Sequence, residues 1–384
     1  MTTKNNIPVG YKDSAVGIIP QEWEVKFFKD VCTFLNGRAY KQEELLSLGK
    51  YPVLRVGNFF TNTNWYYSDL ELDKDKYAVE GDLLYAWSAS FGPRFWNGEK
   101  VIYHYHIWKV VISSIIDKLF LYDYLEMDAR KLYNQIQGGT MAHITKGDME
   151  QRYIPVPPME EQRKIAEILG VWDEAIEKQS RLIEKLELRK RALMQRLLTG
   201  RTRLPGFTTP WQKVKLGEIA QIKKGKSLTS NDVKCGSYPV IAGGKESPYS
   251  HSEYTDEKVI TVSASGAYAG YISYHPHRIW ASDCSVIKEI DATSSILFLY
   301  NLLLYKQDYI YFLQVGGAQP HVFPKDIERI KLFCPPLTEQ KAIAEVLTTA
   351  DDEIATHRKK LDALRLQKRG LMQQLLTGKT RVKI

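Results

Sequence analysis

The feature that most limits how this chain can fold is a repeat of its own sequence. PPMEEQRKIAEIL, beginning at Pro157, returns as PPLTEQKAIAEVL, beginning at Pro335, an offset of 335 − 157 = 178 residues. The same offset carries Leu193-Met194-Gln195 onto Leu371-Met372-Gln373 and Leu197-Leu198-Thr199-Gly200 onto Leu375-Leu376-Thr377-Gly378, with roughly half of the intervening positions identical. A repeat this long and this regular means that one building unit has been used twice.

Within the first copy the apolar residues fall on a heptad seam, Ile165, Leu169, Trp172, Ile176, Ile183, Leu186, Leu193 and Leu197, interrupted by Gln179 and Lys190. The second copy runs Ile343, Leu347, Ala350, Ile354, Leu361, Leu364, Leu371 and Leu375, with His357 and Lys368 at the equivalent polar places. A 3.5-residue period held over about five heptads predicts a long helix packed against another. Each helix follows Pro-Pro and opens with acidic residues, Glu160-Glu161 or Glu339, that suit the positive end of the helix dipole. Each closes at Thr-Gly, where glycine takes the left-handed cap. Some 38 helical residues at about 1.5 Å rise span roughly 57 Å, more than a compact domain needs for its own core, so a spacer is expected. The seam residues are read as structural, and the four polar interruptions as helix-packing positions that can set register.

Upstream of each helix lies mixed, strand-rich sequence with shared landmarks. Trp23 answers to Trp211 and Gly37-Arg38 to Gly225-Lys226 at an offset of 188, while Gly138-Gly139 and His143 answer to Gly316-Gly317 and His321 at 178. Ten residues are therefore missing from the second copy between those landmarks. Short aromatic and β-branched runs, Tyr51 to Val56, Asp82 to Trp87, Val101 to Ile112, Lys258 to Ser263 and Tyr268 to Ser273, predict strands. The expected fold class is α+β, two globular domains separated by two long antiparallel coiled-coil helices in a pseudo-two-fold internal repeat. The expected boundaries are domain 1 over 1–157, helix 1 over 158–200, domain 2 over 201–335, and helix 2 with a basic tail over 336–384.

These motifs resemble the specificity subunits of type I restriction-modification systems. The resemblance rests on the PPxxEQ openings at Pro157 to Gln162 and Pro335 to Gln340 and the LMQxLLTG endings at Leu193 to Gly200 and Leu371 to Gly378. It extends to the entries Ile19-Pro20-Gln21-Glu22-Trp23 and Thr209-Pro210-Trp211, and to Gly81 to Ser88 in the first domain, and covers nearly the whole chain. It implies two target-recognition domains, each reading one half of a bipartite site in double-stranded DNA. It also implies two methylation subunits docked on the helices and carrying S-adenosylmethionine, with methylation falling on adenine and with restriction subunits as further partners. One departure is that Lys258 to Ser265 reads KVITVSAS where the first domain has GDLLYAWSAS, so contacts are not carried from one domain to the other there.

Catalytic signatures are missing from the sequence. Asp/Asn-Pro-Pro-Tyr/Phe, the amino-methyltransferase motif, does not occur, the only Pro-Pro pairs being those at the helix starts. Gly225-Lys226-Ser227 looks like the end of a phosphate loop, but Ala220 stands where that motif demands glycine. Asp256-Glu257-Lys258 supplies half of a nuclease motif without its Pro-Asp partner and is read as a solvated turn. His104 with His106, and His275 with His277, have strand-like i, i+2 spacing but no Cys or carboxylate cluster beside them, so no metal is expected. The four cysteines are scattered and read as reduced, mostly buried thiols. No apolar signal core opens the chain and no apolar window, Ile296 to Tyr305 included, is long enough to cross a bilayer, so no membrane partner and a cytoplasmic location are expected.

A formal net charge of +8 favours polyanions. Recognition needs cations for phosphates and planar or hydrogen-bonding groups for bases. The candidates are Arg38, Lys41, Ser88, Ser90, Arg94, His143 and Lys146 in the first domain, Arg94 being placed in a glycine-bounded loop. In the second they are Lys224, Lys226, Ser227, Ser263, Ser265, Gln319, His321 and Lys325. Basic residues late on each helix and beyond it, Arg189 to Arg191, Arg196, Arg201, Arg203, Arg365, Lys368-Arg369, Lys379 and Arg381, serve solubility, phosphate tracking or docking to partner subunits. The competing readings are a protein-interaction scaffold with incidental basic charge, and a catalytic methyltransferase or nuclease.

Overall fold

The computed structural model describes residues 7–60, 62–88, 90–136, 143–229, 232–244, 249–290 and 293–384, without the side chains of 90 and 134–136. The Gly138-Gly139 pair and the side chain of Ser90 lie outside the described residues. The chain is α+β and forms two compact units, Met1–Lys178 with Leu361–Ile384, and Gln179–Lys360. Its two long helices, Met159–Leu197 and Leu337–Leu375, have 39 residues each and start and end 178 residues apart (337 − 159 = 375 − 197 = 178). Gly200 and Gly378, just beyond their ends, adopt φ of 69° and 70°, which only glycine tolerates without strain.

In the first unit a four-stranded antiparallel sheet has the order Cys32–Asn36, Ile107–Ile112, Leu83–Ser88, Ser90–Phe95. A second sheet has the order Tyr66–Ser68, Tyr51–Leu54, Val101–Tyr103, Tyr77–Ala78, with its two middle strands parallel. The expected strand Val101 to Ile112 is therefore two strands belonging to two sheets, broken by a turn at His104–His106. The break falls where Gly37-Arg38 crosses it: the Arg38 N–H donates to the Tyr103 carbonyl and the Tyr105 N–H to the Arg38 carbonyl. A Cβ on Gly37 would lie 2.4 Å from the carbonyl oxygens of Tyr103 and His104, so the landmark glycine is a close-approach residue. His104 and His106 accordingly do not share a strand face. Arg94 is not in a loop but on strand Ser90–Phe95, paired opposite Leu84. The run from Tyr51 ends as strand at Leu54, and Val56 opens a short helix, Val56–Phe60.

The second unit repeats the plan. Its four-stranded antiparallel sheet has the order Ala220–Lys224, Cys284–Glu289, Val259–Ser263, Ile272–His275. A smaller sheet, Ser250–His251, Tyr238–Ile241, Trp280–Ala281, keeps the parallel pair. The expected strand Tyr268 to Ser273 begins only at Ile272, because Gly266–Tyr268 forms a 3₁₀ turn. The strand ends at His275, so His277 is not on its face. Asp256 is not solvated: it is 3% exposed and held by Lys223 at 2.8 Å and Lys288 at 2.9 Å. Burial alone would raise its pKa, but hydrogen bonds from the two lysines and Thr255 hold it below the ordinary range. Of the cysteines, Cys32, Cys284 and Cys334 are buried and Cys235 is exposed, all as free thiols.

Each unit packs its sheet and helices against the start of one long helix and the end of the other. In the first unit Ile165, Ala166 and Leu169 meet Met372, Leu375 and Leu376 in a core with Trp23, Phe28, Phe34, Trp108 and Phe120. In the second, Ile343, Ala344 and Leu347 meet Met194, Leu197 and Leu198 with Leu216, Ile260, Ile287, Phe298 and Leu302. Of the remaining seam residues, Ile183, Leu186, Ala350, Ile354 and Leu361 are buried, and Trp172, Ile176, Leu193, Leu364 and Leu371 are half-buried.

The PPxxEQ motif holds these pieces together. Glu161 and Glu339 are fully buried, a role beyond complementing the helix dipole. Glu161 accepts from Trp23 Nε1 at 2.9 Å and from Arg381 Nε and Nη2 at 2.7 and 3.0 Å. Glu339 accepts from Trp211 Nε1 at 3.1 Å and from Arg203 Nε and Nη2 at 2.6 and 2.7 Å. The adjacent glutamines are equally buried: Gln162 bonds the backbone of Ile115, Asp117 and Pro157, and Gln340 that of Thr293, Ser295 and Pro335. The bidentate guanidinium makes burial of each carboxylate tolerable, and its removal strands a charge in the core. Arg381→Ala is expected to destabilise the first unit by about 2 kcal/mol, less than a wholly buried pair loses because the guanidinium is about a third exposed, and Arg203→Ala is expected to destabilise the second. Urea denaturation checks this, and a loss no larger than the about 0.5 kcal/mol of an ordinary surface substitution would contradict it.

The polar seam positions are also paired. In the first unit Lys368, 4% exposed, reaches both oxygens of Asp173 at 2.7 Å and lies 3.4 Å from Asp123 and 3.5 Å from Glu126. In the second, Lys190 reaches both oxygens of Asp351 at 2.6 Å, and Gln179 Nε2 donates to the His357 carbonyl at 3.0 Å. In both units the helix segments thus run in opposite directions. Burial pushes Asp123 up to about 7, with Asp173 and Glu126 adding to the rise and Lys368 opposing it. A carboxyl whose folded pKa is raised loses stability as pH climbs from its unfolded value near 4 to its folded value near 7. Asn301 stands 178 residues on, equally buried. Asp123→Asn is therefore expected to match the parent in unfolding free energy near pH 4 and exceed it at pH 8 by on the order of 1 kcal/mol or more, as read by urea denaturation at the two pH values. Equal pH dependence in both proteins would refute the assignment.

Candidate nucleic-acid interface

One end of the main sheet gathers part of the candidate set in each unit through the same backbone bonds. In the first unit Trp87 N–H donates to the His106 carbonyl at 3.1 Å and Ile144 N–H to the Trp87 carbonyl at 3.3 Å. These bonds, with those of Arg38 to Tyr103 and Tyr105, bring Arg38, Ser88 and His143 around the His104–His106 turn; Ser88 pairs with His143 as an isolated bridge. In the second unit Ala264 N–H donates to the Asp283 carbonyl at 3.1 Å, Val322 N–H to the Ala264 carbonyl at 3.0 Å, and Lys226 N–H to the Ala281 carbonyl at 2.8 Å. Lys226, Ser265 and His321 are thereby brought together, with Ser265 bridged to His321. Gly225 makes the same close approach as Gly37, 2.4 Å from a carbonyl oxygen for an added Cβ.

These bonds also give the alignment of KVITVSAS. The triplets Ser88-Ala89-Ser90 and Ser263-Ala264-Ser265 look alike at an offset of 263 − 88 = 175. The backbone instead matches Trp87 with Ala264 and Ser88 with Ser265, an offset of 177. A slip of two residues keeps every side chain on its own face of the strand, so the pattern alone does not reveal it.

The gathered side chains differ. Arg38 is half-buried, its guanidinium held by Glu44 at 2.7 and 2.9 Å and lying 5.3 Å from the Tyr40 ring. Ser88 is buried and His143 exposed. Around them stand Trp87, Tyr105 and His106, with Trp87 stacked on Trp108 at 5.7 Å and edge-on to His106 at 5.0 Å. In the second unit Lys226 Nζ lies 5.0 Å from the Trp280 ring, Ser265 donates to Asp283, and His321 stacks on Phe323. Ser263 is buried, its hydroxyl turned to the Ser265 carbonyl at 3.4 Å.

Other candidates lie elsewhere on their units. Lys41 is exposed, 3.8 Å from Glu43, and Lys146 opens the short helix Lys146–Glu150, 3.5 Å from Glu150. Lys224, Ser227 and Gln319 are exposed, and Lys325 is exposed on the short helix Pro324–Glu328. Arg94 lies 4.9 Å from the Phe60 ring and, with Arg130, Tyr133 and Arg369, lines a cleft of about 1330 Å³ in the first unit. Of the basic residues late on the helices, Arg189, Lys190, Arg203, Lys368 and Arg381 are ion-paired to carboxylates, which argues against phosphate tracking by these five. Tyr105 and Asp283 are not among the sequence candidates, and His106 figures there only as half of a discounted metal pair. Their only sequence signal is position, just beyond the landmark strands. Among the described residues there is no His/Cys/Asp/Glu group able to hold a metal ion, and no helix long and apolar enough to cross a membrane.

Comparison with known proteins bears on this arrangement. The sequence profile of the type I restriction modification DNA specificity domain matches residues 20–188 and again 208–366. The matches start 208 − 20 = 188 residues apart and end 366 − 188 = 178 apart, the two offsets of the repeat. The type I restriction enzyme MjaVIII specificity subunit of Methanocaldococcus jannaschii is 27% identical over 95% of this chain and 94% of its own. The putative type I restriction enzyme MjaX specificity subunit of the same organism is 27% identical over 97% of both. The fold is shared with the type I restriction-modification S subunit of M. genitalium, at TM-score 0.61 and 19% identity over 98% of both chains. The paired profile matches span most of the sequence, and the chain belongs to the type I restriction-modification DNA specificity family, as a non-catalytic specificity subunit that confers DNA recognition.

Proposed function

We propose that this subunit reads a bipartite site in double-stranded DNA, one half through each α+β domain, over 1–157 and 201–335. The helices over 158–200 and 336–384 act as an antiparallel coiled coil with pseudo-two-fold symmetry that sets the spacing of the halves. Two methylation subunits carrying S-adenosylmethionine dock on the helices and methylate adenine where the subunit directs them, and restriction subunits join in systems that cleave. The residues proposed to touch DNA are those brought together in each unit, Arg38, Ser88 and His143 in one and Lys226, Ser265 and His321 in the other. The remaining candidates Lys41, Ser90, Arg94, Lys146, Lys224, Ser227, Gln319 and Lys325 are proposed as further contacts, and the buried Ser263 as a support for Ser265.

The observation that carries this reading is that one backbone frame, recurring around Gly37 and Gly225 with most of its bonds in common, presents different side chains in the two units. A duplicated frame suits the pseudo-dyad of a duplex, and divergent side chains let the half-sites differ in sequence. Exchanging residues 1–157 for the first domain of another family member is expected to change one half of the methylated sequence and leave the other half and the spacing intact. Genome-wide mapping of methylated adenine reads the outcome, and altered recognition in both halves would contradict the proposal.

A further inference from the structure

Two turns fill the same place in the two units and carry different chemistry. In the first unit the chain leaves the sheet that holds the parallel pair at Tyr103, passes His104, Tyr105 and His106, and enters the antiparallel sheet at Ile107; in the second it passes from Ala281 through Ser282 and Asp283 to Cys284, likewise from one sheet to the other. The first turn is one residue longer. Trp87 fastens the first turn, its Nε1 donating to the Tyr105 carbonyl at 2.8 Å; beside the second, Trp280 Nε1 donates to the Lys226 carbonyl at 3.0 Å. Ser282 is buried, its hydroxyl accepting from the Leu228 N–H at 3.2 Å, so the turn side chains left at least partly exposed are those of His104, Tyr105, His106 and Asp283.

The chemistry of these side chains suits bases better than phosphates. Tyr105 is 39% exposed with its ring 3.9 Å from that of His106. Burial holds His104 down to about 4 and lowers His106, so both imidazoles are neutral near pH 7 and offer one donor and one acceptor each. Asp283 is half-buried, its carboxylate accepting from the Ser265 hydroxyl and passing close to Gly243, where an added Cβ would lie 3.3 Å from its Oδ2. A carboxylate is repelled by phosphates, but it accepts hydrogen bonds from the exocyclic amino groups of cytosine or adenine in the major groove.

Building on the DNA-reading assignment, we infer that the His104–His106 turn and the Ser282–Asp283 turn are the base-reading elements of the two units, and that Asp283 selects a base presenting an amino group. Site selection from a randomised duplex library by the full-length subunit assembled with its methylation subunits tests this with His106→Ala and Asp283→Ala. Asp283→Ala, which removes the acceptor, is expected to lose about tenfold or more of its preference for cytosine or adenine at one position of one half-site. His106→Ala is expected to relax one position in the other half, and each variant keeps the half it does not touch. A wild-type complex with a clear two-part motif that both variants retain would overturn the inference and leave the DNA-reading assignment standing. Loss of both halves in either variant would mark the turn as structural and equally overturn it. A wild-type complex that selects no motif would instead overturn the DNA-reading assignment on which it rests.

Discussion

The buried carboxylates Glu161 and Glu339 are the points on which each unit depends. Each is fully buried at the start of a long helix, and each is satisfied by an indole N–H from the domain entry and a guanidinium from beyond the end of the other long helix. A charge in that position is tolerable only when all of its partners arrive together. The clasp therefore ties three distant pieces of chain into one folding event: in the first unit, Trp23, Glu161 and Arg381. The neighbouring Gln162 and Gln340 extend the same logic to the backbone, each bonding the Pro-Pro segment before its own helix and a loop 47 residues upstream, at Ile115 or Thr293.

Given that frame, variation is confined to places where the backbone is already held. The parallel strand pair, the close approach of Gly37 or Gly225 and the antiparallel four-stranded sheet recur in both units. The residues on the turns they support do not: a tyrosine between two histidines in one, a serine and an aspartate in the other. Such a division between a repeated scaffold and divergent tips is what a protein needs to read two unlike sequences with one design.

Much of the architecture was legible in the residues because it is periodic. The heptad seam, the Pro-Pro starts and the Thr-Gly ends locate both helices, and Trp23 with Trp211 and Gly37 with Gly225 mark equivalent points. What was not legible is what depends on contacts distant in sequence. The burial of Glu161 by Arg381, 220 residues away, has no local signature, and a glutamate in a first helical turn reads equally well as dipole complement. Val101 to Ile112 looks like one strand because apolar residues flank the histidines, and only the crossing backbone of Arg38 breaks it. The SAS triplets mislead because a strand repeats every two residues, so a two-residue slip leaves no trace in hydrophobicity. The turn residues escape for a further reason: His104 and His106 read as a strand-spaced metal pair, and nothing local marks Tyr105 or Asp283 as lying next to the crossing of the landmark glycines.

The central claim is that two divergent reading surfaces on one duplicated frame contact two separate stretches of duplex. Base-by-base interference footprinting of the assembled complex on its selected site tests it directly. The account predicts two clusters of essential bases separated by a spacer of fixed length whose bases are interchangeable. A single uninterrupted cluster, or protection that follows the phosphate backbone without regard to base, would contradict it.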